Sequence, residues 1–265
     1  MVASIPLIVL SSKTVTRTDT FLHGWQAVSD VEICIIPGVY LDKSILEDHP
    51  TKVFSKIYGR GMTVQELGCA KAHFLARTEI STSEIGGIVF EDDARFIEPE
   101  TILAVAVDFL IKHSGHAAIL NLCESPLSPF RSNHSHKSVG LFGHSPLAVA
   151  YVLTPEAAIA LNQASELVDW VSDWPHSKVK HYVCVPALVA HGDNQSGSEI
   201  AITLNGNDMR HNRNVKSKIL RFINPFAFAS SLRHDYSKEF IYFVLLAPIY
   251  WRIDQFKSRF GYSKK

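Results

Sequence analysis

The stretch Ile88-Val-Phe-Glu-Asp-Asp-Ala-Arg-Phe96 decides the fold. Its apolar half is β-branched and aromatic, the signature of a strand buried on both faces. Its polar half places Glu91, Asp92 and Asp93 where that strand must leave the core. In open α/β sheets ligands bind at the carboxyl ends of strands. Three adjacent carboxylates repel one another and call for a cation or basic partners. Hard divalent ions, which take oxygen ligands and bridge to phosphate oxygens, suit such a cluster. If the extended strand continues, Glu91 and Asp93 point one way and Asp92 the other. A solvated acidic turn ahead of a helix accounts for the same three residues without any ligand.

Outward from this stretch, short apolar runs alternate with helical patterns. Residues 5–10, 32–36, 87–90, 117–122, 148–153 and 181–185 read as strands, and 63–78, 99–113 and 155–164 as helices. Thr63-Val-Gln-Glu66 is a capping-box pattern. Thr154-Pro155 sets an N-cap before a proline at the first helical position, and Glu98-Pro99-Glu100 places acidic residues at the positive end of a helix dipole. The alternation predicts an α/β domain with a mixed, mainly parallel sheet. Residues 124–144, rich in Ser, His, Pro and Gly, read as a lid, binding loop or flexible segment. His134, His136 and His144 could suggest a metal tract, but the surrounding Ser, Pro and Gly make them parts of this mobile loop. Polar, Gly- and Asn-rich sequence around 195–212 divides a domain at 1–209 from a basic, helical extension at 210–265.

The chain has 265 residues, 46% hydrophobic and 20% charged, which excludes a disordered or collagen-like protein. Its 26 basic and 26 acidic residues cancel. The cancellation is not local: 210–265 holds 12 Lys/Arg against 3 Asp/Glu, so the first 209 residues are net acidic. From Lys216 onward, basic residues interleave with Phe, Ile, Leu, Tyr and Trp. That apolar content favours an anionic membrane surface as the partner of 216–265 over nucleic acid. Packing of this segment on the acidic domain is the rival reading. Its longest apolar run, 240–251, contains Pro248 and is shorter than the roughly 20 residues of a spanning helix. Cys34, Cys69, Cys123 and Cys184 are isolated in apolar stretches, read as buried free thiols in a reducing compartment, and show no zinc spacing.

Four motifs together resemble glycosyltransferase family 25. Thr63-Val-Gln-Glu-Leu-Gly-Cys-Ala-Lys-Ala-His73 is similar to the family's GE-x-GC-x-x-SH helix, and IVFEDDARF to its strand ending in LEDD. AYVLTPEAAIAL (150–161) and HYVCVPALVAH (181–191) resemble two further strand motifs, in the family's order. Gln65 stands where the family has glycine and Ala72 where it has serine. The first segment, IVLSSKTVTR, keeps only Arg17 of the family's NLdRr.dR pattern. The family includes bacterial lipopolysaccharide and lipooligosaccharide galactosyltransferases and collagen galactosyltransferases.

The resemblance implies a GT-A-like, single nucleotide-binding domain and a metal-bound sugar nucleotide. The expected reaction moves a hexose, commonly galactose from UDP-galactose, with inversion at the anomeric carbon. It implies Mn²⁺ or Mg²⁺ held by Glu91 and Asp93, with His191 as a third ligand. Arg17, Glu66, His73, Arg77 and Asp92 are candidate donor contacts. Glu66, His73 and Arg77 share one helical stripe, although Glu66 also has a capping role and Cys69 beside them reads as packing. Asp173 is the first candidate for the base that takes the acceptor proton, then Asp169 and Glu124, with Trp170 and Trp174 suited to stacking on a sugar. The acceptor implied is a lipid-linked, lipopolysaccharide-type oligosaccharide, which places the protein in the cytoplasm, peripheral on the inner face of a bacterial inner membrane. A non-catalytic subunit of a glycan-assembly complex and a nucleotidyl or phosphoryl transferase are the alternatives.

Overall fold

A computed structural model describes residues 4–11, 15–28, 30–42, 44, 62–96, 98–123, 137–140, 148–164 and 178–191. Among them the chain forms β1 (Ile5–Ser11), α1 (Val15–Trp25), β2 (Val31–Pro37), α2 (Val64–Ser81), β3 (Gly87–Glu91), β4 (Ala94–Phe96) and α3 (Pro99–Lys112). These are followed by β5 (Ala118–Asn121), β6 (Lys137–Gly140), β7 (Ala150–Leu153), α4 (Pro155–Ala164), β8 (Lys180–Val185) and β9 (Val189–His191). Seven strands make one sheet in the order β2-β1-β3-β7-β5-β8-β6. β2, β1 and β3 are parallel, as are β5 and β8, while β7 and β6 pair antiparallel with their neighbours. The expected mixed, mainly parallel sheet is present. A second, two-stranded sheet joins β4 to β9.

The sheet is covered on both sides because its central strands are apolar on both sides. Leu7, Val9, Ile88 and Phe90 pack with Phe21 and Trp25 of α1 and with Ile102, Ala106 and Phe109 of α3. Ile8, Leu10 and Val89 pack on the other face with Ala72, Ala76 and Ile80 of α2 and Ala157, Ala158 and Leu161 of α4. Thr154 caps α4 as expected, accepting from the Ala157 amide at 3.3 Å, and its hydroxyl also donates to the His116 carbonyl at 2.7 Å. α1 escapes sequence reading because Val15-Thr-Arg-Thr-Asp-Thr20 is rich in β-branched residues and Gly24 lies near its end. Tertiary packing holds it instead. Phe21 and Trp25 stack obliquely on Phe90 and Phe96, with ring centroids 5.1–5.6 Å apart.

One further difference concerns extent. Residues 137–140, inside the stretch read as a loop, form edge strand β6 along β8. The boundary near residue 209, the basic segment 210–265 and most of the stretch 124–144 lie outside the described residues. No helix among the described residues is long and apolar enough to cross a membrane.

Helix α2 approaches the chain after β2 so closely that a Cβ on Gly68 would stand 2.2 Å from the Val39 carbonyl oxygen. Gly68→Ala is therefore expected to destabilise by about 1–3 kcal/mol. An unchanged denaturation midpoint would mean the two segments separate freely. A pH effect arises at the end of α3, where the His113 ring lies 4.6 Å from Phe109 and 4.5 Å from Tyr182. Desolvation, then Lys112, His116 and Lys180, lower its pKa below the ordinary 6.5, with Asp108 opposing. The unfolded chain thus binds this proton more readily, so the stabilisation is complete above pH 6.5 and is lost as pH falls below it. Thermal melts between about pH 7.5 and 5.5 should show this loss, and His113→Phe should flatten the slope. An equal slope in the variant would assign the dependence to other groups.

Candidate functional site

β3 ends at Glu91, and the backbone then turns through Asp92 and Asp93 into β4. The Glu91 amide donates to the Val149 carbonyl at 2.8 Å and the Asp92 amide to the Leu10 carbonyl at 3.0 Å, so the turn is held by both flanking strands. Strand alternation stops there, and the expected orientation changes with it. Glu91 faces α2, whereas Asp92 and Asp93 both meet α1.

On the α1 side, Arg17 reaches Asp93 Oδ2 at 3.2 Å and approaches Asp92 Oδ1 at 3.9 Å. The Thr18 hydroxyl donates to Asp92 Oδ2 at 3.3 Å and lies 2.6 Å from the Ser11 hydroxyl. The Asp92 side chain is 6% exposed, that of Asp93 18% and that of Arg17 33%. A buried carboxylate therefore backs a more accessible one, and a guanidinium offsets their repulsion. His191 enters this region through its backbone, paired with Ala94 in the β4–β9 ladder, one residue after Asp93.

On the α2 side, His73 Nε2 is 3.2 Å from Glu91 Oε1 and its Nδ1 is 2.9 Å from the Tyr151 hydroxyl. Arg77 also hydrogen-bonds Tyr151, and its Nε donates to Asn162 Oδ1 at 2.9 Å. Burial lowers the Arg77 pKa, opposed by Tyr151, and burial pushes the Tyr151 phenol well above its usual value, which keeps it neutral. A polar chain thus runs Glu91–His73–Tyr151–Arg77–Asn162 beneath α2. Cys69, one helical turn before His73, joins it: single ligand atoms of Cys69, His73 and Glu91 all lie within 4.8 Å of one another.

The expected residues therefore separate into groups. Arg17, Asp92 and Asp93 come together. Glu91, expected beside Asp93, instead joins His73 and Arg77 on the opposite face. Glu66 closes the capping box with Thr63, accepting from the Thr63 amide at 2.8 Å while its own amide donates to the Thr63 hydroxyl at 3.2 Å. Asp169, Asp173 and Glu124 lie outside the described residues. Sequence reading missed Thr18 and Tyr151, and it saw no metal-ligand spacing at Cys69, whose i, i+4 relation to His73 was the available signal.

The family model described as glycosyltransferase family 25 (LPS biosynthesis protein) matches residues 26–174, more than half of the chain. The chain belongs to glycosyltransferase family 25. No curated protein matches it. The match spans α2, the carboxylate turn and β7, so the carboxylates and the α2 face of the site lie within the family region, and α1, with Arg17 and Thr18, lies before it. Membership makes it a glycosyltransferase of a lipopolysaccharide-biosynthesis family, a protein that joins a sugar donor to an acceptor.

Thr18 donates a hydrogen bond to the most buried of the three carboxylates. Thr18→Val keeps its shape and removes that bond, and is expected to cost about 1.5–3 kcal/mol in denaturant unfolding. Wild-type stability in the variant would show that Asp92 is held by other groups.

Proposed function

We propose that this family 25 protein is an inverting, metal-dependent hexosyltransferase of GT-A type, moving galactose from UDP-galactose onto a lipopolysaccharide-type acceptor. The observation that carries the reading is the Asp92–Asp93 turn at the carboxyl end of the central parallel strand β3, within the family match. That is where an α/β sheet offers a ligand site.

The residues of the turn fit a hard divalent ion. Asp93 offers a partly exposed carboxylate with buried Asp92 behind it, and the His191 backbone runs alongside. Mg²⁺ and Mn²⁺ are commonly held by one or two carboxylates together with substrate phosphates. Asp93, with His191, would hold the ion, and Glu91 stands apart from them. Such an ion supplies neutralising charge to the departing diphosphate. Arg17, already paired with Asp93, is placed to meet phosphate oxygens as a bidentate cation. Asp92 keeps Thr18 and Arg17 in position. In the transfer, the acceptor hydroxyl oxygen attacks the anomeric carbon from the face opposite the nucleotide. The carbon–oxygen bond to the β-phosphate breaks as the new bond forms, and UDP leaves with that electron pair. The acceptor proton passes to a base, assigned first to Asp173 and then to Asp169 or Glu124.

The net acidic first 209 residues and the basic, aromatic segment 216–265 support placement on an anionic membrane surface. There the protein meets a lipid-linked oligosaccharide on the cytoplasmic side of the inner membrane.

UDP release from UDP-galactose with Mn²⁺ and a lipooligosaccharide acceptor tests this reading. Asp93→Asn should lower turnover by about 100-fold or more, on the scale of removing one electrostatic group from an active site. Equal turnover in variant and wild type, or wild type that neither binds nor turns over a nucleotide sugar, would sink it.

A further inference from the structure

On the opposite face of β3 from the Asp92–Asp93 turn, Cys69, His73 and Glu91 bring a thiol, an imidazole and a carboxylate to one point. We propose that these three residues form a second metal site, for a borderline-soft divalent ion of the Zn²⁺ class. The proposal does not rest on glycosyl transfer, and its test is read without any sugar nucleotide.

Three features carry it. The first is donor chemistry. A thiolate ligand selects Zn²⁺ or Co²⁺ over Mg²⁺ or Mn²⁺, so this trio and the thiol-free carboxylate turn around Asp93 suit different ions. The second is geometry. Cys69 and His73 are one turn apart on α2, and Glu91 comes from the end of β3. Ligands bound at about 2.0–2.3 Å around a tetrahedral ion stand roughly 3.3–3.7 Å apart. His73 Nε2 and Glu91 Oε1 are already 3.2 Å apart, and the outermost separation in the trio is within 4.8 Å. Side-chain shifts of about 1 Å complete the set. Three protein ligands leave a fourth position for water, and the Glu91 side chain, 28% exposed, opens that side.

The third is proton placement. His73 is fully buried, with Tyr151 on one ring nitrogen and Glu91 facing the other. A tyrosine hydroxyl both donates and accepts. In the tautomer where Tyr151 donates to Nδ1, the Nε2 hydrogen points to Glu91. With an ion on Nε2, the hydrogen moves to Nδ1 and is donated to the Tyr151 oxygen. Tyr151 thus orients the ring in either tautomer, as partners of metal-bound histidines do. Arg77, donating to the same oxygen, holds Tyr151 in place. The bound ion would fasten α2 to the residue immediately before Asp92.

The test uses the full chain, stripped with chelator and titrated with Co²⁺ alone, then with Zn²⁺ in competition. Expected are one equivalent of tetrahedral Co²⁺ with a thiolate-to-metal charge-transfer band, displaced by Zn²⁺. Cys69→Ser should abolish the band. Glu91→Gln should keep the band and weaken Zn²⁺ binding at least tenfold. Asp93→Asn and Cys34→Ser should titrate like wild type. Circular dichroism and the melting temperature of each stripped variant report whether it is folded, and the partly exposed Glu91 provides a second reading should Cys69→Ser not fold. No charge-transfer band in wild type, a band surviving in Cys69→Ser, or a loss in Asp93→Asn equal to that in Glu91→Gln would each overturn the assignment.

Discussion

A strand buried on both faces can carry charge only where it leaves the sheet. β3 packs Ile88 and Phe90 against α1 and α3, and Val89 against α2 and α4, with no exposed surface on any of the three. A carboxylate one residue earlier would lie in that apolar interior and would carry a desolvation cost of several kcal/mol. Glu91 is the first position with a polar neighbour available, and Asp92 the first whose amide can turn the chain onto the end of β1. The site therefore exists because the core ends there, and the helices on the two faces determine which partners each carboxylate meets.

Those two partner sets differ in kind. On the α1 side, hydroxyls and a guanidinium meet two aspartates, which makes an environment of hard oxygens and positive charge suited to phosphate chemistry. On the α2 side, a buried histidine, a phenol and a buried arginine form a chain whose every member has a partner. Such a network holds its members rigidly because an unpaired buried polar group is costly. α2 thus serves as a reference element. It is pressed against the Val39 carbonyl at Gly68 and tied to β7 and α4 through Tyr151 and Asn162.

Much of the scaffold was legible because its signals are local. The run Ile88–Phe90, the capping box at Thr63 and Glu66, and the Thr154 cap each depend on residues within a few positions of one another. What the sequence concealed depends on contacts across the fold. Tyr151 reads as an ordinary β-former in an apolar strand, and only the approach of α2, with His73 78 residues away and Arg77 one turn on, gives its hydroxyl a purpose. α1 is helical because Phe90 and Phe96 accept its aromatic edge, not because its own residues favour helix. The expected orientation of Asp93 followed from alternation along an extended chain, and β3 ends at Glu91, two residues before the acidic run does. Cys69 and His73 share a helix face in any helix, but their third neighbour comes from another element.

The reversed direction of β7 has a consequence for how this protein can diversify. Because β7 runs against β3 and β5, its first residues pair beside Phe90 and Asn121, next to the carboxylate turn. Cys123 and Ala148 therefore stand at the same rim of the sheet. Exchanges between those two points, outside β6, leave the ladders of β3, β5 and β7 intact. Segments of that kind tolerate change far better than the strands that anchor them. One inherited sheet can in this way take changes of sequence at its rim, and selection can act there without disturbing the charge arrangement at the end of β3.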